Sequence, residues 1–475
     1  MKTFSINTLG CKVNQYESQQ IRELLENFGF RIASPTDEPD LIIINTCCVT
    51  HTASAKSRQQ IRKFQKHHPE AKIVVCGCLP AAKNDTSLSD HFNFTKPAQN
   101  IHMVTNRDNL AAILKQITHR INCHDYTKIN KQSILCENLQ SINQIKPEFD
   151  AEIKDKKETC ENLQLPVLTR FKDQTRAFLK IQDGCDAFCT YCIIPHVRSQ
   201  ISSKPVKMAL DEAQSLVRAG HKEIVITGIC LGAYGRDSAR NRSKSEQNNE
   251  KLAELLEKMA KIANLERIRL SSLEPSDITD YLLETMSRHK NIMPHIHLSL
   301  QSGSDVILRK MCRKYRISEV REKINQIKNL LDKPAITTDI IVGFPGETDH
   351  EFENTYNFAK EAGFSKMHIF KFSPRKNTPA SRMKDTIDHQ VINERSKILH
   401  QLDKENGYNF RDQFIGQNET VLIEQIDKQA AGRSERYFMI NINNKEDSKI
   451  KLQKNDLVKV KLLKNHKDYM TGIII

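Results

Sequence analysis

Short apolar segments alternate with amphipathic helical segments along most of this chain, and this alternation restricts the folds that it can adopt. Between residues 170 and 400 helical patterns separate six apolar segments, AFLKIQ, EIVITG, RIRLSS, HIHLSL, AITTDIIVGF and KMHIFKF. Apolar strands joined by helices are typical of a parallel sheet covered on both faces. We therefore predict a partial or full (β/α) barrel over residues 169–408, with an open doubly wound sheet as the competing architecture.

Residues 1–120 repeat this alternation on a smaller scale. TFSINTLG, DLIIINT and AKIVVCG are apolar segments followed by helical patterns or turns, and IHMV is a weaker fourth segment. This order predicts an α/β domain with a doubly wound parallel sheet.

Two further regions differ in composition from these α/β parts. Residues 121–168 are rich in Asn, Gln, Lys and Glu without a sustained period, and we interpret them as a polar linker or insertion. Residues 409–475 contain short β-branched segments divided by polar turns, which predict a small five-stranded β-barrel.

The overall composition limits the class of protein. The 475 residues carry a formal net charge of +14, which favours an acidic partner such as RNA. No apolar run approaches the roughly 18–20 residues that cross a bilayer, and the first residues lack the apolar core of a secretion signal. We therefore expect a cytoplasmic protein without a membrane partner, whose 13 cysteines serve metal binding or catalysis rather than disulfides.

Three cysteines follow the first strand of the predicted barrel. In DGCDAFCTYCIIPHV, Cys185, Cys189 and Cys192 are separated by three and two residues. Three thiolates can hold three irons of a four-iron cluster and leave the fourth iron open to a small molecule. The alternative is a structural zinc site whose fourth ligand lies elsewhere, with His196 as a candidate.

A second set of cysteines lies in the N-terminal domain. Cys11, Cys47 and Cys78 each follow a predicted strand, and the carboxyl ends of parallel strands converge on one edge of a sheet. The alternative is that they are buried free thiols. Their neighbours Cys48 and Cys76 also remain candidate ligands.

The Cys185–Cys192 loop resembles the signature of the radical S-adenosylmethionine enzymes, in which an aromatic residue, here Tyr191, precedes the third cysteine. TLGCKVNQYES, NTCCVT and VCGCLPA resemble the N-terminal domain of the methylthiotransferases. The resemblance continues through ITGICLGAYG, HLSLQSGSDVILRKM, TTDIIVGFPGET and FSPRKNTPASRM, and the last domain matches a TRAM domain in position and size.

The resemblance implies an enzyme with S-adenosylmethionine and two [4Fe–4S] clusters. One cluster would be held by Cys185, Cys189 and Cys192 and would bind S-adenosylmethionine; the other would be held by Cys11, Cys47 and Cys78 and would supply sulfur. The clusters and a 5′-deoxyadenosyl radical would carry the chemistry, so no side chain is predicted to be catalytic. An electron donor such as a flavodoxin or ferredoxin is implied, whereas the sulfur donor is not identified.

Other residues are candidates for contacts with S-adenosylmethionine because they lie at strand ends or in the signature. Gly343 and Gly346 allow close backbone approach, but a tight turn needs glycine equally. The full set is Tyr191, Gly228, Ser272, Glu274, Gly343 and Gly346. For Glu274 a helix-capping or salt-bridge role is the alternative.

The first motif resembles the threonylcarbamoyladenosine (MtaB-like) group, because the isopentenyladenosine group shows Gln-Met where Lys-Val follows Cys11. This implies methylthiolation of N6-threonylcarbamoyladenosine in tRNA, at C2 of the adenine beside the anticodon. Isopentenyladenosine in tRNA and an aspartate of a ribosomal protein are the alternative substrates, and an iron–sulfur redox sensor that binds RNA is the non-enzymatic alternative.

A basic segment after Cys47 agrees with an RNA partner such as an anticodon stem-loop. AKSRQQIRKFQKHH contains five lysines and arginines and no acidic residue. Such a surface can contact phosphates, although a run of this kind is as often only a solvated helix face.

Four positions depart from the family pattern. Ser199 follows Arg198 where glycine is usual, and Asn377 also replaces a usual glycine. Cys312 stands where asparagine is expected, and Cys230 where histidine or asparagine is commoner. None of these changes removes a predicted cluster ligand.

Overall fold

The computed structural model describes residues 2–34, 36–82, 100–129, 164–239, 250–427, 429–443 and 451–475, with the backbone alone at 122–129. The predicted linker or insertion at 121–168 therefore lies mostly outside the described residues. In the described part of the chain, no helix has the length and hydropathy needed to cross a membrane.

The chain forms two compact units that are discontinuous in sequence. The first contains Met1–Gly10, Glu17–Cys47 and Ser54–Val167. The second contains Cys11–Tyr16, Cys48–Ala53 and Leu168–Ile475.

A five-stranded parallel sheet forms the centre of the first unit, with strand order β2-β1-β3-β4-β5. Its strands are β1 (Thr3–Thr8), β2 (Arg31–Ile32), β3 (Leu41–Thr46), β4 (Lys72–Gly77) and β5 (Ile101–Met103). The helices of this part of the sequence are α1 (Lys12–Asn27), α2 (His51–His67), α3 (Cys78–Ala81) and α4 (Leu110–Ile129).

Burial explains why the middle strands contain continuous apolar runs, LIII in β3 and IVV in β4. Every residue of β3 is buried, and Leu41, Ile43 and Val74 pack with Leu114 of α4 in one hydrophobic cluster. A strand covered on both faces has no polar side, so its sequence does not alternate. This arrangement confirms the predicted N-terminal α/β fold with a parallel sheet.

Six parallel strands of the second unit correspond to the six apolar segments of the sequence. Together with two short strands, β7, which is antiparallel to β6, and β10, which is parallel to β11, they form two four-stranded sheets. The sheets are ordered β7-β6-β8-β9 and β10-β11-β12-β13, and an isolated bridge joins Ile268 of β9 to Ile292. The strands are β6 (Ala177–Asp183), β7 (Ser202–Ser203), β8 (Glu223–Gly228), β9 (Arg267–Leu270), β10 (Ser272–Leu273), β11 (His295–Gln301), β12 (Ala335–Val342) and β13 (Lys366–Lys371).

Helices follow these strands and supply the other half of one continuous core. They are α5 (Ile194–Val197), α6 (Val206–Arg218), α7 (Lys251–Met259), α8 (Asp280–Arg288), α9 (Asp305–Lys310), α10 (Ile317–Leu330), α11 (Asp349–Ala362) and α12 (His389–Asp412). Leu216, Leu256 and Leu283 from three of them pack with Ile226 and Ile296 from the strands. The βα order confirms the predicted partial barrel.

A closed five-stranded barrel ends the chain, with strand order β14-β15-β16-β18-β17. Its strands are β14 (Asn418–Ile426), β15 (Ala430–Ser434), β16 (Met439–Ile442), β17 (Leu457–Asn465) and β18 (Met470–Ile474). Phe414, Val421, Ile440, Val460 and Met470 fill its core. The small β-barrel predicted from the alternation is confirmed.

Candidate metal centre

The loop after β6 brings Cys185, Cys189 and Cys192 together at the carboxyl end of a central strand. The amide of Cys185 donates to the carbonyl of Arg198 (2.9 Å), and the amide of Cys192 donates to the carbonyl of Cys189 (2.9 Å). Electrostatic interactions connect all three thiols. The backbone therefore holds three sulfur donors on one short loop, as the spacing predicts.

The environments of these thiols differ. Burial raises the pKa of Cys189, and it raises the pKa of Cys192 to about 12. A hydrogen bond with the side chain of Cys230 lowers the pKa of Cys185 and raises that of Cys230. A metal that binds the sulfurs of Cys189 and Cys192 must therefore displace their protons, so metal binding becomes stronger as the pH rises.

Sulfur spacing separates the two kinds of metal centre that the sequence leaves open. Tetrahedral zinc with Zn–S bonds of about 2.3 Å requires sulfurs about 3.8 Å apart. Among the described residues, no set of three cysteine sulfurs lies within 4.8 Å of one another. His196 is exposed, and its ring packs edge-to-face against Phe188 at 6.3 Å. Thiolate sulfur suits both kinds of centre, so it is the wider separation of the three sulfurs that favours a larger iron–sulfur core over a zinc ion.

Arg313 places a positive charge beside the cysteine loop. The sequence analysis did not predict a role for this residue. Its NH1 lies 3.4 Å from the Cys189 sulfur and 2.9 Å from Oε1 of Glu274. The buried guanidinium also donates to the carbonyl of Ser299 (2.8 Å). A fixed cation stabilises negative charge on the sulfur, which is what a thiolate ligand requires.

Glu274 has the structural role that was the alternative to a cofactor contact. Besides the ion pair with Arg313, its amide donates to Oδ2 of Asp277 (3.3 Å) in the turn after β10. Both interactions fix the carboxylate near the loop. Its contact with S-adenosylmethionine stays a prediction.

Gly343 and Gly346 form a tight turn at the carboxyl end of β12. Both have positive φ values, 75° and 79°. The amide of Gly343 donates to Oε1 of Glu347 (3.1 Å), and the amide of Gly346 donates to the carbonyl of Asp385 (2.7 Å). The turn thus requires glycine for its own geometry, and the predicted contact with S-adenosylmethionine stays a prediction.

The other predicted cofactor contacts also lie on the central strands or the cysteine loop. Gly228 is the last residue of β8, and Ser272 of β10 pairs with His297 of β11. Tyr191 packs against the cluster formed by Ile307, Met311, Ile341, Phe344 and Ala380. Burial raises the pKa of Tyr191 well above its ordinary value, so the phenol stays neutral.

Cys47 and Cys78 follow two hydrogen-bonded neighbours in the first unit, β3 and β4. The hydroxyl of Thr46 donates to the carbonyl of Cys76 (2.6 Å) and accepts from the amide of Leu79 (3.3 Å). A Cβ on Gly77 would lie 2.5 Å from the carbonyl oxygen of Thr46, so only glycine allows this approach. The two cysteines therefore leave the same edge of the sheet.

The side chain of Cys76 packs in the hydrophobic cluster of the first unit with Phe4 and Ile43. Cys78 begins α3, so the strand alternation that would align it with Cys76 ends before it. Cys78 is thus the better placed of the two for a site at the sheet edge. Cys47 is fixed to α2, because Ser57 Oγ accepts from its amide (3.3 Å) and donates to its carbonyl (3.0 Å).

Cys11 belongs to the second unit and lies three residues after the end of β1. Its sulfur lies 3.7 Å from Oδ1 of Asn14, which accepts from NH2 of Arg198 (3.2 Å). NH1 of Arg198 pairs with Asp183 (2.8 Å), directly before the cysteine loop. A polar chain therefore connects Cys11 with the start of that loop. Asn14 stands in the quoted motif, but spacing alone gave it no role.

Comparisons with known proteins agree with the fold described above. Residues 3–95 match the family described as "Uncharacterized protein family UPF0004", and residues 179–359 match the Radical SAM superfamily. A radical S-adenosylmethionine methyltransferase from Kitasatospora setae shares the fold with a TM-score of 0.51 at 11% identity, covering 79% of this chain and 77% of that chain.

Curated relatives cover nearly the whole chain. "Threonylcarbamoyladenosine tRNA methylthiotransferase MtaB" of Bacillus subtilis is 36% identical, covering 99% of this chain and 96% of the relative. The protein of that name from Thermotoga maritima is 35% identical over 89% of this chain and 87% of its own. "tRNA-2-methylthio-N(6)-dimethylallyladenosine synthase" of Ehrlichia canis is 30% identical over 100% of both chains.

Proposed function

The chain belongs to the radical S-adenosylmethionine methylthiotransferase family, within its MtaB-like group, and from that premise we propose that it methylthiolates N6-threonylcarbamoyladenosine beside the anticodon of tRNA. The observation that carries this substrate is the set of relatives. Those named for threonylcarbamoyladenosine reach 34–36% identity, whereas those named for dimethylallyladenosine reach 30–32%.

Two sets of cysteines would hold the cofactors of this reaction. Cys185, Cys189 and Cys192 would bind a [4Fe–4S] cluster with one iron open to S-adenosylmethionine, and Cys11, Cys47 and Cys78 would bind a second. When bound, these groups supply a 5′-deoxyadenosyl radical and a sulfur atom, which break an unactivated C–H bond and form a C–S bond.

The protein's own side chains position the cysteine loop and place a positive charge beside it. Arg313 stabilises a thiolate at Cys189, and Glu274 holds Arg313 in place. The Gly343–Gly346 turn lets the backbone be approached closely at the end of β12, and Tyr191 supports the loop from the apolar side.

The proposal is tested by nucleoside mass spectrometry of tRNA from a strain lacking this protein. We expect 2-methylthio-N6-threonylcarbamoyladenosine to disappear and its unmethylthiolated precursor to accumulate, and the wild-type protein to restore the product. Restoration should fail with Cys189→Ala, which also abolishes cleavage of S-adenosylmethionine. Cys47→Ala should keep part of that cleavage without restoring the product.

Three other outcomes identify the alternatives. Loss of the methylthiolated isopentenyladenosine instead would assign that tRNA substrate, and loss of a methylthio group from a small-subunit ribosomal protein would assign the aspartate. No cleavage of S-adenosylmethionine above background by the reduced, reconstituted protein would favour an iron–sulfur sensor that binds RNA.

A further inference from the structure

Three potential metal ligands without sulfur lie side by side on neighbouring strands of the second unit. They are His297 of β11, Asp339 of β12 and His368 of β13, and one ligand atom from each lies within 4.8 Å of the other two. Nε2 of His297 lies 3.2 Å from Oδ2 of Asp339, and the two imidazole ring centroids are 5.6 Å apart. In the described part of the chain, no other set of three histidine, cysteine, aspartate or glutamate side chains comes this close.

Strand register and alternation bring these three side chains to one face of the sheet. Asp339 pairs directly with His368, and His297 pairs with Thr337 on the same strand as Asp339. Their neighbours in sequence pack with the helices in the hydrophobic core, namely Leu298, Ile340 and Met367. Because successive side chains of a strand point to opposite faces, the three ligands share the face opposite that core.

Thr337 orients the ring of His297. Its hydroxyl lies 2.8 Å from Nδ1 of His297 and 3.1 Å from Nε2 of His295. A hydroxyl has one proton to donate, so one of these two nitrogens must carry a proton for both contacts to be hydrogen bonds. If Nδ1 of His297 carries it, the lone pair of Nε2 faces the carboxylate of Asp339. That arrangement is unfavourable without a cation between them, and it is the one that metal-bound histidines adopt.

The separations fit a small divalent ion. With bonds of about 2.0–2.1 Å to nitrogen and oxygen, two ligand atoms of a tetrahedral zinc ion lie about 3.3 Å apart. The distance between His297 and Asp339 is 3.2 Å. His368 is exposed, so a small rotation of its side chain can bring a ring nitrogen to the same separation. Imidazole together with carboxylate is a donor set that first-row divalent ions accept.

We propose that His297, Asp339 and His368 bind a divalent transition-metal ion of the class of zinc or ferrous iron. Three protein ligands leave at least one coordination position open for water or another oxygen ligand. Because Asp339 stands four residues before Gly343, the ion would lie about 13 Å along β12 from the Gly343–Gly346 turn. The site differs from both cysteine sets in its donor chemistry, and it does not depend on the proposed function.

The test measures metal binding to the anaerobically purified, iron-loaded protein, with zinc chloride as the probe. Equilibrium dialysis gives the Kd, and plasma mass spectrometry counts zinc and iron in the same samples. We expect wild type to bind about one zinc per chain, and Asp339→Asn and His368→Gln each to raise the Kd at least about tenfold. If ferrous iron already fills the site, both variants should instead lose about one iron per chain.

His350→Gln is the matched control. This exposed histidine of α11 also lies close to a carboxylate, 3.4 Å from Oε1 of Glu351, but in the described residues it belongs to no group of three ligands. It should leave the Kd for zinc unchanged. Iron content and the circular dichroism spectrum are measured for every variant, so that a folding defect is recognised.

Two further measurements identify the ligands and the role of Thr337. The zinc X-ray absorption edge of the loaded protein should show nitrogen and oxygen neighbours at about 2.0–2.1 Å. Thr337→Val should weaken zinc binding about 10–100-fold, whereas Thr337→Ser, which keeps the hydroxyl, should restore it.

Three results would overturn the inference. If wild type holds neither zinc nor an iron that both variants lose, His297 and Asp339 form only an ion pair. If the absorption edge shows sulfur neighbours at about 2.3 Å, the zinc is bound by cysteines. If wild type, Asp339→Asn and His368→Gln have equal Kd values, the zinc is bound elsewhere.

Discussion

Left-handed backbone conformations explain two of the departures from the family pattern. Asn377 replaces a usual glycine at φ 71°, and Cys312 replaces an expected asparagine at φ 59°. Glycine and asparagine tolerate this region better than other residues. Asn377 is thus a conservative change, whereas Cys312 carries strain in the turn that ends α9 and precedes Arg313.

Replacing Cys312 should relieve that strain. Its amide donates to the carbonyl of Arg309 (3.0 Å), and the next amide, of Arg313, donates to Leu308 (2.9 Å), as in a helix C-cap. We expect Cys312→Asn to raise the free energy of unfolding by about 1 kcal/mol. Denaturant unfolding measures this change. Cys312→Ala is the control, and an equal gain in that variant would contradict the role of φ.

The buried His295 should make stability depend on pH. Burial and the charges of Arg269, His297, Lys12 and Arg176 lower its pKa well below the ordinary value, so the folded state holds it neutral. The unfolded state takes up a proton below about pH 6.5, so stability falls as the pH falls through that value. One proton gives a slope of at most about 1.4 kcal/mol per pH unit.

His295→Gln should remove this contribution and flatten the stability profile between about pH 7 and pH 5. Glutamine can keep the hydrogen bond to Thr337, which His295 makes through Nε2 at 3.1 Å. Unfolding in urea at several pH values measures the slope. An unchanged slope in the variant would assign the acid sensitivity to other groups.

The candidate site was predictable where it depends on local spacing and not where it depends on distant residues. The loop of Cys185, Cys189 and Cys192 follows from a short motif. Arg313 and Asn14 could not be inferred, because each acts through a partner far away in sequence, at Cys189 and Arg198. No local pattern encodes such an interaction.

Helix α2 presents the basic segment of the N-terminal part to solvent. Ser54, Ser57 and Ile61 are its buried residues, whereas Lys56, Lys63 and Lys66 are exposed. The helix therefore uses its small and apolar face for packing and keeps its lysines available for an anionic partner.

Charge reversal on α2 should weaken tRNA binding. With Lys63→Glu and Lys66→Glu combined, we expect lower affinity at low salt and a salt slope reduced by about 0.7–0.9 for each phosphate that the helix no longer neutralises. Kd for tRNA measured over a series of salt concentrations tests this. Lys258→Glu on α7 is the control. An equal loss of tRNA affinity in the α2 variant and in Lys258→Glu would mean that α2 contributes only non-specific electrostatic attraction.

Strands with a clear apolar pattern were predicted, and strands made by pairing alone were not. The six central segments are all strands in the structure, and five of them are largely buried. β13 is mostly exposed and is held by its parallel pairing with β12. β15 has the sequence AAGRS, which carries no strand signal. Its conformation depends on antiparallel pairing with β14 and β16 in the closed barrel.

At the scale of the whole molecule, we propose that six cysteines in two sets hold two iron–sulfur clusters. The fold places Cys185, Cys189 and Cys192 on one loop, and Cys47 and Cys78 at one edge of a parallel sheet. Cys11 lies beside Asn14, which is hydrogen-bonded to Arg198. Each set would leave one iron of a four-iron cluster without a protein ligand, as a cluster that must bind a small molecule requires.

Iron and labile-sulfide analysis of anaerobically purified protein tests this claim most directly. We expect about eight irons and eight sulfides per chain for wild type. About four of each should remain when Cys185, Cys189 and Cys192 are all changed to alanine, and about four when Cys11, Cys47 and Cys78 are changed instead. About four irons in wild type, or about eight retained after the second set is removed, would contradict it.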